Sequence, residues 1–190
     1  MAKLYFKYGA MNSGKTTMLL QTAYNYEEQG MKVLIVKPKI DKKGEEKVTA
    51  RIGLSRKVDI LLEDKDNIYE IIKNKYSDIS CLIVDEVQFI TFIQADELLK
   101  IAALLDIPVI CYGLRTDFMM NGFIGSNRLL LIADKIEEIK TICKCGRKAT
   151  INVRKQNGKY VFSGNQVAID GLNDITYESM CPKCYFNLKN

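Results

Sequence analysis

A glycine-rich segment near the start of the chain restricts the possible folds more than any other feature. Residues 9–16 read G-A-M-N-S-G-K-T, which matches the phosphate-binding pattern G-x-x-x-x-G-K-[ST]. An apolar strand over Leu4–Tyr8 precedes this loop, and a helical stretch follows it. Glycines let successive backbone N–H groups point at one set of phosphate oxygens, while the helix N-terminus and Lys15 add positive charge. The sequence therefore predicts a nucleoside triphosphate site built on a strand, a loop and a helix.

The whole loop is expected to contact the triphosphate. Its Thr16 hydroxyl is suited to the magnesium ion that accompanies such a nucleotide. A chance glycine turn would leave the flanking strand and helix unexplained. The predicted phosphate-binding residues are Gly9, Ala10, Met11, Asn12, Ser13, Gly14, Lys15, Thr16 and Thr17.

Another apolar strand, at residues 81–84, is followed by two adjacent acids, Asp85 and Glu86. Ligands of parallel sheets bind at the carboxyl ends of the strands, so these acids should lie near the phosphate loop. Asp85 is then a candidate, together with Thr16, to hold magnesium. The chain contains no histidine, so Glu86 is the candidate general base for an attacking hydroxyl. The alternative is a pair of solvated acids without a function.

Apolar strands and amphipathic helices alternate along the first 140 residues. We expect strands at 32–37, 60–62, 81–84, 108–112 and 136–142, and helices at 67–76, 92–106 and 127–134, with Asp66 as the N-cap of the first of these three. Residues 39–57 are polar and are expected to form a long connection. This alternation predicts an α/β fold, a P-loop (RecA-like) parallel sheet with helices on both faces.

Four cysteines near the end of the chain indicate a second, smaller domain. The pairs Cys143/Cys145 and Cys181/Cys184 supply four thiolates, which suit a tetrahedral structural zinc ion, although reduced core cysteines remain an alternative. Asn157-Gly158 predicts a β-hairpin between the pairs. We expect a nucleotide-binding domain at 1–138 and a zinc-binding β domain at 139–190. Cys81 and Cys111 fall within apolar strands and are expected to be packing residues.

The composition of the chain limits which partners and which cellular location we expect. The net charge of +5 over 190 residues is too mild to argue for a nucleic-acid partner. The sequence shows neither a signal segment nor a membrane-length apolar run. We therefore expect a cytoplasmic protein that contacts no membrane and no nucleic acid.

These motifs in this order resemble the type II (cellular-type) thymidine kinases. The resemblance rests on the N-terminal phosphate loop, D-E-V-Q-F at 85–89, Y-G-L at 112–114, D-F at 117–118 and the four-cysteine module. It implies transfer of the γ-phosphoryl group of ATP to the 5′-hydroxyl of thymidine, and of deoxyuridine too. Glu86 would be the general base, Asp85 the magnesium-associated acid, and zinc and magnesium the metals.

The resemblance also assigns the nucleoside site and the assembly. It implies a lasso loop from the zinc domain that closes over the nucleoside, a homotetramer, and feedback inhibition by thymidine triphosphate (dTTP). The implied nucleoside-binding residues are Met11, Asp41, Gln88, Phe89, Leu114, Phe118, Phe123 and Tyr177. The chain departs from the family pattern at Arg115, at residues 119–121, at Lys43 and at Asp170.

Two other classes of protein share part of this pattern. A RecA-like ATPase acting on nucleic acid would use Asp85 and Glu86 to activate water, and Arg147, Lys148, Arg154 and Lys155 would make the cysteine module a basic knuckle. A non-catalytic nucleotide sensor is the other. The kinase is favoured because its motifs span nearly the whole chain.

Overall fold

The computed structural model describes residues 1–40, 46–168 and 174–189. Its five α-helices are α1 Lys15–Glu28, α2 Ile68–Lys75, α3 Phe92–Leu104, α4 Ile124–Ile132 and α5 Pro182–Lys189. The strands of those ranges are β1 Leu4–Tyr8, β2 Val33–Pro38, β3 Lys47–Thr49, β4 Ser55–Lys57, β5 Ile60–Leu62, β6 Cys81–Val84, β7 Val109–Gly113, β8 Lys135–Glu138, β9 Thr141–Ile142, β10 Lys148–Ala149, β11 Ile151–Gln156, β12 Lys159–Val161 and β13 Ile175–Met180. None of the helices in these ranges combines the length and the apolar character needed to cross a membrane.

The main sheet has six strands in the order β5-β2-β6-β7-β1-β8, and all neighbouring strands are parallel. Successive side chains of a strand point to opposite faces, and here both faces are covered. Leu34 and Val36 pack with residues of α2, α3 and α4 on one face, whereas Val33 and Ile35 pack with α1 on the other. The expected α/β sheet with helices on both faces is confirmed.

Two local expectations were wrong, and the connection at 39–57 contains structure that the sequence did not indicate. The N-cap of α2 is Asn67, whose side chain accepts from the Glu70 N–H at 2.9 Å, whereas Asp66 accepts from the Glu63 N–H in the preceding turn. Within the connection 39–57, β3 and β4 form an antiparallel pair. The single strand expected at 136–142 is two strands, because β8 joins the main sheet beside β1 while β9 pairs with β10.

The cysteine module has its own small core. A three-stranded antiparallel sheet, β12-β11-β13, packs with the β9–β10 pair and α5 around buried residues that include Ile151, Val153 and Tyr185. The hairpin predicted at Asn157-Gly158 joins β11 to β12, and both residues have positive φ (50° and 73°), as a type I′ turn requires. Since the main sheet ends with β8, we propose the domain division at residues 138 and 139.

Candidate active site

The phosphate loop joins β1 to α1 and depends on its two glycines. A Cβ atom at Gly9 would collide with the Ser13 side chain and lie 2.6 Å from the Ile139 carbonyl oxygen, so a larger residue does not fit. Gly14 precedes the first residue of α1 with a left-handed φ of 82°, a conformation that glycine adopts at little cost. The loop therefore leads directly into the N-terminus of α1, where free backbone N–H groups can bind an anion such as a phosphate group.

Lys15 lies inside this loop with only 8 % of its surface exposed. Its Nζ donates to the carbonyl oxygen of Ala10 at 2.8 Å and approaches that of Gly9 at 3.4 Å. Burial lowers the pKa of Lys15, and the nearby carboxylates of Glu86 and Asp85 act in the opposite direction. The ammonium and both acids thus lie at the same edge of the sheet.

The two acids after β6 are held differently. Asp85 is 4 % exposed, and one of its carboxylate oxygens accepts from the Glu86 N–H at 3.0 Å. Glu86 has a left-handed backbone (φ 50°, ψ 40°), which costs a non-glycine residue on the order of 1 kcal/mol or more and is typical of functional sites. Gln88 Nε2 donates to the Glu86 carboxylate, while Gln88 Oε1 accepts from the Leu114 N–H at 3.0 Å. Gln88 therefore fixes Glu86 relative to the end of β7.

An open pocket lies beside Glu86, lined mainly by apolar and aromatic side chains with a few polar groups, which is the usual composition of a small-molecule site. The rings of Phe89 and Phe123 meet edge to face, with centroids 5.9 Å apart. Seven of the eight residues that the resemblance assigns to the nucleoside line this pocket; Asp41 lies outside the described residues. The seven are Met11, Gln88, Phe89, Leu114, Phe118, Phe123 and Tyr177.

Several pocket residues were missed by the sequence reading. They are Ile40, Asp117, Asn152, Gln166, Val167 and Ala168. Of these, Asn152 connects three parts of the site: its Oδ1 accepts from the Met11 N–H at 2.7 Å and its Nδ2 donates to the Thr116 carbonyl oxygen at 2.9 Å. The alternation Ile151-Asn152-Val153-Arg154 indicates a strand with one polar face. It does not reveal that the main domain covers that face.

Two of the four departures from the family pattern fall on described residues. Arg115 is exposed, and its guanidinium carbon lies 5.4 Å from the centre of the Tyr8 ring. Residues 117–122 form a turn held by Asp117, whose Oδ1 accepts from the N–H groups of Met119 and Asn121 at 2.8 and 2.9 Å. This Asp117 turn holds the segment in which residues 119–121 depart from the family pattern. Lys43 and Asp170 lie outside the described residues.

The four cysteines of the small module come together. The sulfurs of Cys143, Cys145, Cys181 and Cys184 all lie within 4.8 Å of one another, and tetrahedral zinc thiolate sites place sulfurs about 3.8 Å apart. The donor set therefore fits a structural metal ion. Cys81 and Cys111 are buried in the main sheet, as expected of packing residues.

Comparisons with known proteins point to one family. A family model described as thymidine kinase matches residues 2–185. The thymidine kinase of Francisella tularensis (strain SCHU S4) is 46 % identical over 190 residues, covering 96 % of each chain. That of Streptococcus agalactiae (strain A909) is 46 % identical over 189 residues and 98 % of each chain. That of Shewanella oneidensis is 48 % identical over 187 residues and 96 % of each chain.

Proposed function

The chain belongs to the thymidine kinase family, and we propose that residues 9–17 bind ATP while the pocket beside Glu86 binds thymidine. The enzyme transfers the γ-phosphoryl group of ATP to the 5′-hydroxyl of thymidine. One observation carries the site assignment: the phosphate loop after β1 and the acids after β6 follow strands of one parallel sheet, and both Met11 of the loop and Glu86 line the aromatic pocket.

In this proposal Glu86 takes the proton of the 5′-hydroxyl as its oxygen attacks the γ-phosphorus. The bond from that phosphorus to the β,γ-bridging oxygen breaks, and ADP leaves with the electron pair. Loop amides and Lys15 stabilise the charge on the phosphate oxygens, so catalysis is mainly positioning and charge neutralisation. A magnesium ion with the nucleotide would neutralise further charge, and the Thr16 hydroxyl and the buried Asp85 carboxylate are the groups that would hold it.

The pocket walls suit a flat pyrimidine base. Phe89 and Phe123 supply apolar faces, and Gln88, Asp117 and Asn152 supply polar groups at the edge of the pocket. Asp41 stays our candidate for the 3′-hydroxyl side of the sugar. Because thymine and uracil differ by one methyl group, we include deoxyuridine as a second substrate.

Zinc in the Cys143/Cys145/Cys181/Cys184 cluster, a homotetramer, a cytoplasmic location and feedback inhibition by dTTP complete the proposal. The cluster supports the zinc ion, and the resemblance supports the homotetramer and the inhibition by dTTP. The cytoplasmic location stays a prediction from the composition of the chain. dTTP carries thymine for the pocket and a triphosphate for the loop, so one molecule could span both sites. Light scattering after size-exclusion chromatography tests the tetramer.

A coupled assay of ADP release tests the function against its rivals. We expect ATP consumption that depends on thymidine. Consumption that depends on a polynucleotide would favour the ATPase alternative, and consumption without either would contradict both. That alternative also requires a basic surface on the cysteine module. Arg154, one of its four basic residues, is only 4 % exposed and so is not available on that surface.

A further inference from the structure

Strand β11 separates the small core from the nucleoside pocket. Its alternate residues Ile151 and Val153 pack in the cysteine module. Asn152 and Arg154 project from the other face and are 3 % and 4 % exposed. Asn152 lines the pocket. Arg154 is a buried cation next to it, and the reaction proposed above does not use it.

Every nitrogen of the Arg154 guanidinium has a partner. Nε donates to the Tyr177 hydroxyl at 2.8 Å, and the two terminal nitrogens donate to the carbonyl oxygens of Asn165 at 2.8 Å and Gln166 at 3.0 Å. The guanidinium carbon also lies 3.7 Å from the centre of the Phe118 ring. Arg154 therefore joins one pocket wall, at Phe118, to the segment 165–168 that forms another.

The segment 165–168 has few other anchors among the described residues. The Tyr177 hydroxyl, which accepts from Arg154, donates to the Ala168 carbonyl oxygen at 3.1 Å. Gln166 Nε2 donates to the Asp117 carboxylate at 3.1 Å. Arg154 and Tyr177 are paired across β11 and β13, so the small sheet presents both of them to the segment. Together they hold three of its four carbonyl groups.

We propose that Arg154 is a positioning residue that fixes the segment 165–168 against Phe118 and thereby sets the affinity for the nucleoside. The proposal rests on the assignment of this pocket to thymidine. Only a planar fork with several donors can stack on a ring and bond two carbonyl groups at once; a lysine ammonium cannot do both. The same contacts place the Tyr177 hydroxyl between Arg154 and the segment, where it donates a hydrogen bond to the Ala168 carbonyl oxygen.

The test measures steady-state kinetics of the full-length enzyme carrying Arg154→Lys, Arg154→Gln, Tyr177→Phe and the Arg154→Gln/Tyr177→Phe double change. We expect Arg154→Gln to raise KM for thymidine about tenfold or more, with KM for ATP changed less than about twofold. Arg154→Lys should raise the thymidine KM almost as much as Arg154→Gln does, although it keeps the positive charge. The double variant should be no worse than about twofold beyond Arg154→Gln, because both side chains act on the same segment.

Arg128→Lys is the matched control. Arg128 forms an ion pair with Asp96 at 2.6 Å and lies 4.3 Å from the centre of the Phe92 ring, which resembles the chemistry of Arg154 in another part of the molecule. We expect it to leave both KM values unchanged. Thermal unfolding and metal content of each variant show whether the protein is still folded, so that a misplaced segment 165–168 can be distinguished from an unfolded protein. If Arg154→Gln does not fold, Tyr177→Phe, which removes a single oxygen, still tests the proposal.

Two outcomes would overturn the proposal. One is an unchanged thymidine KM in both Arg154 variants. The other is an equal loss for ATP and thymidine in step with a lower melting temperature, which would make Arg154 merely structural. Phe123→Ala separates this from failure of the pocket assignment. If Phe123→Ala raises the thymidine KM while the Arg154 variants do not, only the positioning role of Arg154 is refuted. If no variant raises the thymidine KM, the assignment of the pocket to thymidine is refuted.

Discussion

Replacing Asn152 by alanine should weaken both the fold and the phosphate loop. The change removes the acceptor of the Met11 N–H and the donor to the Thr116 carbonyl, bonds of 2.7 and 2.9 Å. An unsatisfied buried backbone group costs about 1–3 kcal/mol. Met11 and Thr116 are half-buried, so water can reach them in part, and we take the lower end for each. The expected loss is about 2 kcal/mol, or a melting temperature lower by about 4–8 °C for a chain of this size.

Urea unfolding followed by circular dichroism measures this loss, and steady-state kinetics measures its effect on the site. Because Met11 belongs to the phosphate loop, we expect KM for ATP to rise severalfold. Asn152→Asp is the matched variant: it keeps an acceptor for the Met11 N–H but sets a carboxylate oxygen against the Thr116 carbonyl. It should therefore spare the ATP KM more than the stability. A stability loss under about 0.5 kcal/mol in Asn152→Ala, with unchanged kinetics, would refute this reasoning.

Three further predictions concern other charged or metal-binding groups. Glu86→Gln should lower kcat by about 10²–10⁴-fold, the usual contribution of a general base, with ATP affinity nearly unchanged by calorimetry; an equal loss of ATP affinity would assign Glu86 to the metal instead. Burial raises the pKa of the Glu97 carboxyl, so the folded state binds its proton more tightly and the carboxylate destabilises the protein as the pH rises above about 4.3, the usual value for glutamate. Glu97→Gln, which can still accept from the Ile68 N–H, should thus be at least as stable as the parent at pH 7, and its advantage should shrink toward pH 4 in denaturant titrations. Cys184→Ser, or removal of metal by a chelator, should lower the melting temperature and raise the thymidine KM, with recovery of the chelated enzyme on adding zinc.

The parts of the site that the sequence predicts are those written in one continuous segment. The phosphate loop and the acids after β6 are local patterns, and the geometry of a parallel sheet brings their strand ends to one edge. That is why the sequence alone predicts Lys15, Asp85 and Glu86 at one edge of the sheet. Seven of the fourteen pocket residues came instead from the family resemblance, because residues such as Phe89, Leu114 and Phe123 are ordinary apolar residues in isolation.

The parts that could not be predicted depend on partners distant in sequence. The segment 136–142 alternates as one strand should, but β8 pairs with β1 and β9 pairs with β10, and alternation does not encode the pairing partner. Arg154 looked like a surface charge because polar faces of short strands are usually solvated. Phe118 and the segment 165–168 cover this side chain, so the cation is a buried donor to residues 165 and 166.

Strand β11 connects the proposed zinc site to the proposed thymidine pocket. Its inner residues belong to a core that also contains Cys143 and Cys181, and a core this small holds a domain poorly without a metal or disulfide. Its outer residues, Asn152 and Arg154, bond the phosphate loop and the segment 165–168. If the small sheet opens in part of the molecules, the apparent thymidine affinity falls by the fraction that remains closed. The thymidine KM should therefore follow metal content in a graded titration, while the kcat of the fully bound enzyme stays constant. A thymidine KM that is constant across that titration would show that β11 keeps its position without the metal.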